Sequence, residues 1–145
     1  MMTKFSYKFV GSEGELEGAF AVWRQVFVAE QGIPENLVYD GNDRDARHMV
    51  VKDGERVIGA ARVRFLEAGQ AKLERMAVLP PFRHLGIGKE MIDFLVGELR
   101  GEGIKKLVLH AQHQVIEFYQ TCGFNPVGLP FVEAGIKHQK MERMV

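Results

Sequence analysis

The sequence has little of several things that would place it in a specialised class. It has one cysteine, Cys122, among 145 residues, so an internal disulfide cannot form and a reducing, cytoplasmic setting is favoured. No N-terminal apolar run resembles a signal peptide, and none elsewhere approaches the roughly 20 residues that span a bilayer. The 19 basic and 19 acidic residues cancel. Such a balance predicts no general affinity for nucleic acid or anionic membranes.

The residues that are present suit one ordinary globular domain. Hydrophobic residues make up 46% and charged residues 26% of the chain, close to the globular average, so a buried core can form and general disorder is excluded. The length fits a single domain over residues 1–145, since one core typically serves about 100–200 residues.

The N-terminal third predicts a strand, a helix and a polar segment. Apolar residues alternate over 5–9, which is typical of a half-buried strand. Ser12 and Glu15 have the spacing of a capping box that begins an amphipathic helix. The polar segment 35–45 has no periodicity and predicts a loop or a short helix over a site.

The rest of the chain predicts an α/β fold. Residues 48–79 contain three apolar runs separated by glycine turns, which predicts an antiparallel meander. A helix begins near Gly86, a buried parallel strand follows at 105–111, and a second helix follows at 115–122. The tail 124–145 predicts two more strands. Together these elements predict a mixed, mostly antiparallel sheet of about six to seven strands flanked by helices.

The turn before the Gly86 helix carries the clearest chemical signal. Gly86 and Gly88 lack side chains, so backbone N–H groups can face an anion at the helix N-terminus. Arg83, His84 and Lys89 add basic groups around this turn. The spacing fits neither a Walker A loop nor a dinucleotide fingerprint. The turn therefore predicts a different kind of pyrophosphate site.

Two motifs resemble one known family. Arg83-x-x-Gly86-x-Gly88 resembles the signature of the GNAT family of N-acetyltransferases, and Phe118-Tyr119 followed by Gly123-Phe124 resembles its second recurring element. The order of strands and helices is similar along nearly the whole chain. The resemblance implies a single GNAT-type domain whose sheet is splayed at its parallel strand pair. The motifs at 30–31, 40–43, 111–112 and 133–141 resemble the ElaA/YjcF-like branch.

The resemblance also implies acetyl-CoA as the acetyl donor. Its pyrophosphate is expected on the turn 84–89, and its pantetheine arm is expected to pair with backbone 76–78 like an added strand. The expected cofactor-binding residues are Met76, Ala77, Val78, Arg83, His84, Leu85, Gly86, Ile87, Gly88, Lys89 and Gln112.

For the reaction, the resemblance implies direct transfer in a ternary complex to the primary amine of a small molecule or peptide. Tyr119 corresponds to the family's proton donor to the leaving thiolate. The oxyanion is expected to take a hydrogen bond from the backbone N–H of Ala77 or Val78.

His138 is the leading candidate for the general base. An imidazole titrates near neutrality, and the tail resembles that of glyphosate-acetylating enzymes, whose corresponding histidine is the base. Glu74 and Glu133, working through water, are the alternatives. The arginines that those enzymes use for phosphonate do not recur, because Glu74 and Gln112 stand at two of the matching places. A phosphonate acceptor is therefore not expected.

Other readings follow from the same residues. A non-catalytic coenzyme-A-binding sensor or scaffold would keep the turn without turnover. No metal is expected, since His110 and His113 lack further ligands, and Cys122 has no partner that would activate it as a nucleophile. The acidic loop at 30–45 hints at a cationic acceptor amine. Members of the family often dimerise, so a homodimer is an expectation.

Overall fold

One mixed sheet organises the chain in the computed structural model, which describes residues 5–43 and 45–145. Its strands are β1 (Phe5–Phe9), β2 (Arg47–Asp53), β3 (Arg56–Phe65), β4 (Gln70–Val78), β5 (Lys106–Gln112), β6 (Asn125–Pro126), β7 (Phe131–Glu133) and β8 (Ile136–Met144). Their order in the sheet is β1-β2-β3-β4-β5-β8-β6, with β7 paired to β8. The expected α/β architecture with a mixed, mostly antiparallel sheet is confirmed.

The helices lie close to their predicted positions and are α1 (Glu13–Trp23), α2 (Glu35–Val38), α3 (Ile87–Gly101) and α4 (Ile116–Thr121). Ser12 caps α1 as predicted, because its side chain accepts a hydrogen bond from the Glu15 N–H at 3.2 Å. A π-helical segment, Arg24–Glu30, continues α1. Such widened turns are rare and often occur at functional sites.

The helices cover the sheet on both faces. Phe20 and Trp23 of α1 pack around His48 of β2, with ring centroids 5.9 and 5.6 Å from it. On the opposite face Phe94 of α3 packs on Phe9, at 5.3 Å between centroids. No helix within the described ranges is long and apolar enough to cross a membrane.

The sheet opens between its two parallel strands. β4 and β5 are paired only from Gln70 opposite Lys106 to Leu73 opposite Leu109. Beyond that point β4 contains a bulge against β3, where Arg75 adopts a left-handed φ of 56°. A bulge bends its strand and locally disrupts pairing. The ends of β4 and β5 therefore separate into the predicted splay.

The tail differs from its prediction of two strands. It forms three, because two-residue β6 and three-residue β7 precede the long β8. Strands this short contain too few residues to show a two-residue alternation. The turn predicted around Gly128 lies before β7, and the turn before β8 contains Gly135.

Candidate active site

A cleft of about 1230 Å³ lies where β4 and β5 separate. Its turn wall is made by residues 76–78, 82–84 and 86–89 together with Val115, Phe118 and Tyr119. Its strand wall is made by Arg64, Lys72, Glu74, His110, Glu133 and His138. All the predicted site residues except Leu85 line this cleft. Leu85 points outward from the turn and is 59% exposed.

The turn that precedes α3 has the backbone of an anion site. His84 and Gly86 have φ values of 64° and 82°, in the left-handed region, and Gly86 is the N-cap of α3. Nothing lies within 4 Å of a Cβ built on Gly86, so the space beside the turn is open. Successive N–H groups in such a turn and the helix dipole both favour an anion.

Gly88 has a different structural reason. A Cβ at this position would lie 2.9 Å from Cζ of Phe118, so glycine permits the close contact between α3 and α4. The phosphate role of Gly86 and Gly88 stays a prediction, and the contact with Phe118 gives Gly88 a second, structural reason.

Arg83 is already paired. Its two Nη atoms each donate to a Glu30 carboxylate oxygen at 2.8 Å, and its Nε donates to the Val78 carbonyl at 2.9 Å. The hydrogen bonds from Arg83 lower the pKa of Glu30. Arg83 thus joins the turn to the end of the π-helical segment, and the positive field expected from it is compensated.

Gln112 contacts the residue that follows the π-helical segment, from the other side of the cleft. Its Nε2 donates to Oε1 of Gln31 at 2.8 Å. Since Glu30 binds Arg83 and Gln31 binds Gln112, two consecutive residues connect the ends of both splayed strands. Gln112 lines the cleft at this bridge, and its contact with acetyl-CoA stays a prediction.

The Tyr119 hydroxyl is available for chemistry. The side chain lines the cleft between Phe118 and Phe124, with ring centroids 5.1 and 5.8 Å away. Throughout 5–43 and 45–145 its hydroxyl finds no hydrogen-bond partner. Burial raises its pKa, so the phenol stays protonated at neutral pH.

The register of β4 determines which backbone groups face the cleft. Val78 lies opposite Gly59, and the Leu79 N–H donates to Ile58 O at 2.9 Å. In an antiparallel ladder this makes Val78 and Gly59 a non-hydrogen-bonded pair. The Val78 N–H therefore points away from β3, toward the opening, whereas the Ala77 N–H points toward β3.

On the strand wall Glu133 lies between two imidazoles. Its Oε1 is 3.2 Å from His110 Nδ1, and its Oε2 is 3.8 Å from His138 Nε2. His138 Nδ1 lies 2.7 Å from the Ile136 carbonyl. Because a carbonyl only accepts, the proton of a neutral His138 is on Nδ1, and Nε2 carries the free lone pair.

His110 is held as a neutral imidazole. Burial lowers its pKa first, and the charge of Lys72 lowers it further. The Phe131 ring packs on both histidines, at 4.9 Å from His110 and 5.9 Å from His138. This ring covers one side of the cluster.

Glu74 is not suited to act as a base. Its Oε1 accepts from Arg62 and Arg64 at 2.9 and 2.8 Å, and its Oε2 lies 3.1 Å from Lys72 Nζ. Burial would raise the pKa of Glu74, but the charges of these cations keep it below the usual value. A carboxylate stabilised in this way holds protons poorly.

The acidic loop is neutralised from within the chain. Fully buried Arg62 donates to Asp40 at 2.9 and 3.1 Å and to Asp43 at 3.1 Å. Arg75 also donates to Asp40 at 3.1 Å. The acidity of this loop therefore gives no support to a cationic acceptor, because Arg62 of β3 and Arg75 of β4 balance it.

Sequence reasoning missed Arg64 and Lys72 of the strand wall and the buried Arg62 beside them. Arg62 and Arg64 are two residues apart on β3, and Lys72 of β4 lies opposite Arg64. In strands this spacing places side chains on one face. The spacing of these basic residues is visible in the sequence. It was overlooked because strands are predicted from apolar residues, and a row of charged residues does not show that pattern.

Comparison with known proteins defines the class. The fold and the open parallel pair are those of an acyl-CoA-dependent N-acyltransferase, and the profile described as "Acetyltransferase (GNAT) domain" matches residues 8–145. The chain therefore belongs to the GNAT acetyltransferase family, whose members use acetyl-CoA.

Individual relatives agree with this assignment. The uncharacterized N-acetyltransferase YjcF of Bacillus subtilis is 36% identical over 131 residues, covering 90% of this chain and 93% of its own. Escherichia coli ElaA has a TM-score of 0.85 at 24% identity, covering 96% of this chain and 99% of its own. A GNAT acetyltransferase from Elizabethkingia anophelis, crystallised with acetyl-CoA bound, has a TM-score of 0.77 at 16% identity, covering 99% and 100%.

Proposed function

We propose that this protein transfers an acetyl group from acetyl-CoA to the primary amine of a small molecule or peptide, directly, while both are bound. One observation carries the proposal. The free Tyr119 hydroxyl, the outward Val78 N–H and His138 all border one cleft at the splay. A non-catalytic binding module has no need of this combination.

The turn wall fits the donor. The left-handed turn at His84 and Gly86, followed by the N-terminus of α3, suits a pyrophosphate. The unpaired edge of β4 at residues 76–78 suits an amide-containing arm, which would pair with it as a strand does. When bound, acetyl-CoA supplies an activated acetyl group as its thioester.

The strand wall fits proton removal from the acceptor. His138 Nε2 carries a lone pair and takes the proton of the attacking amine. Glu133, at 3.8 Å from this nitrogen, stabilises the resulting imidazolium. The other Glu133 oxygen, Oε1, contacts His110 Nδ1, and this second contact holds the carboxylate in place.

The remaining groups act on the bond that breaks. The Val78 N–H donates to the acetyl oxygen as it gains negative charge. Tyr119 donates its proton to the leaving sulfur. As the N–C bond forms and the C–S bond breaks, the amine's proton reaches His138 and the sulfur leaves as a thiol. Solvent then returns a proton to Tyr119.

The test has a binding arm and a turnover arm. Calorimetry with acetyl-CoA checks the turn wall, and release of coenzyme A with a panel of amines, amino acids and peptides checks the reaction. Acetyl-CoA binding without turnover across the panel would favour the sensor or scaffold.

A pH profile of kcat/KM then tests the base. His138→Gln should remove the acidic limb of the profile, whereas Glu133→Gln should shift that limb and keep it. An unchanged limb in His138→Gln would contradict the assignment.

We also infer that residues 1–145 act as one domain in the cytoplasm. The buried, unpaired thiol of Cys122 supports a reducing setting. The homodimer stays a prediction.

A further inference from the structure

The cations beside the strand wall differ in how many of their N–H groups bind carboxylates. Asp40, Asp43 and Glu74 are each bound by at least one cation. The cations around them number four: Arg62, Arg64, Lys72 and Arg75. Each of the four cations contacts at least one of these three carboxylates, and Glu74 alone is shared by Arg62, Arg64 and Lys72.

Arg64 and Lys72 have hydrogen-bond donors that no protein group uses within the described residues. Arg64 binds Glu74 through Nε alone, at 2.8 Å, and its two Nη groups have no protein partner in the part of the chain that the structure describes. Lys72 Nζ binds only Glu74 there, so two of its N–H groups are also unused. Arg62, in contrast, uses Nε, Nη1 and Nη2.

These two residues are neighbours and border the cleft. Arg64 and Lys72 lie directly opposite each other on β3 and β4, and both line the cavity. Their side chains are 32% and 17% exposed. A partly buried guanidinium beside an ammonium is a strong site for an oxyanion, because charged hydrogen bonds are stronger away from bulk water.

The other end of the same wall suits an amine. Lys72 acts electrostatically on His110, which contacts Glu133, which faces His138. Lys72 pairs with Val108 of β5, and Val108 pairs with Glu142 of β8, four residues from His138. At about 4.8 Å per strand and about 3.3 Å per residue, the Lys72 and His138 backbones are about 16 Å apart. The two side chains take up part of this distance, and an amino-acid-sized molecule can span the rest.

We propose that the acceptor is an amine that also carries a carboxylate, and that Arg64 and Lys72 bind this carboxylate while the amine faces Glu133 and His138. The inference rests on the proposed acetyl transfer and specifies its substrate class. The carboxylate of the acceptor would accept hydrogen bonds from the Arg64 and Lys72 N–H groups that Glu74 does not use, whereas a neutral or purely cationic amine would not.

The experiment uses matched acceptors and matched variants. Glycine, β-alanine and 4-aminobutyrate are each compared with their amides by coenzyme A release, and the readout is the acid-to-amide ratio of kcat/KM. Arg64→Gln and Lys72→Gln should each lower this ratio about 10- to 100-fold, the effect of losing one charged hydrogen bond. Arg64→Lys should recover part of it.

Lys140→Gln is the control, since Lys140 is exposed on β8 opposite His110 and outside the cleft lining. Its acid-to-amide ratio should equal that of wild type. Turnover of amides or polyamines with none of the acids would overturn the inference, as would equal losses for acids and amides in the Arg64 and Lys72 variants. Failure to bind acetyl-CoA by calorimetry would instead overturn the proposed function.

Discussion

The two walls of the cleft are built differently. The turn wall comes mainly from one continuous stretch, β4 through the first turn of α3, completed by α4. The strand wall gathers single side chains from β3, β4, β5, β7 and β8. The donor is a constant of the family, and under the proposed function a local backbone motif binds it. The acceptor varies, and side chains on separate strands can change one at a time.

Of the changes that test the difference between the two walls, Tyr119→Phe should have the largest effect, a loss of kcat. The hydroxyl lost has no protein partner within the described ranges, so stability and acetyl-CoA affinity should hold. Loss of the proton donor should lower kcat by about 10²- to 10⁴-fold, measured by coenzyme A release.

Tyr39→Phe is its matched control. The Tyr39 hydroxyl donates to the Phe20 carbonyl at 2.7 Å, so this variant should lose about 1 kcal/mol of unfolding free energy and keep its kcat. Equal kcat in Tyr119→Phe and wild type would remove Tyr119 from the reaction.

Arg62→Met should destabilise the fold beside the strand wall. It removes a fully buried cation from Asp40, Asp43 and Glu74, and stranded buried charge typically costs about 3–5 kcal/mol. Urea unfolding at neutral pH measures the loss. Arg24→Met is the control: its partner Glu35 is exposed, so the change should cost no more than about 1 kcal/mol.

The stability that Arg62→Met loses depends on pH, and the direction of this dependence can be predicted. The hydrogen bond from Arg62 is the main reason that the pKa of Asp40 lies well below its usual value. A lowered folded-state pKa gives stability that is present above the unfolded value, about 3.9, and is lost as the pH falls toward the folded one. The difference in unfolding free energy between wild type and Arg62→Met should therefore become smaller below about pH 4. A constant difference down to pH 2 would contradict the ion-pair account.

Gly86→Asp tests the turn wall by charge. Aspartate tolerates a left-handed φ better than most residues and is favourable at a helix N-terminus, so α3 should fold. Its carboxylate would repel the pyrophosphate and weaken acetyl-CoA binding by about 100-fold or more at close range.

Gly103→Asp is the matched control for this change. Gly103 has the same φ, 82°, with nothing within 4 Å of its Cβ, and it lies beyond the far end of α3. Calorimetry should show unaltered acetyl-CoA affinity in this variant. Equal affinity in both variants would place the pyrophosphate elsewhere.

The predictability of the molecule follows the same division. The strand before the turn, Gly86 and the helix after it are local in sequence, so the order of elements and the turn wall could be predicted. The pairing of Arg62 with Asp40 joins residues 22 apart, and that of Arg83 with Glu30 joins residues 53 apart. Such partners depend on sheet register and loop path, which a single sequence does not specify.

The smallest expected effect concerns Gln112, which bridges the cleft through Gln31. Its bond to Gln31 is exposed, so a double-mutant cycle of Gln31→Ala and Gln112→Ala should give a coupling of about 0.5–1 kcal/mol in unfolding free energy. Acetyl-CoA affinity in Gln112→Ala should change less than about threefold, since the side chain reaches across to Gln31 rather than toward the turn. A loss above about tenfold, or 1.4 kcal/mol, with no coupling to Gln31, would instead support a direct contact between Gln112 and acetyl-CoA.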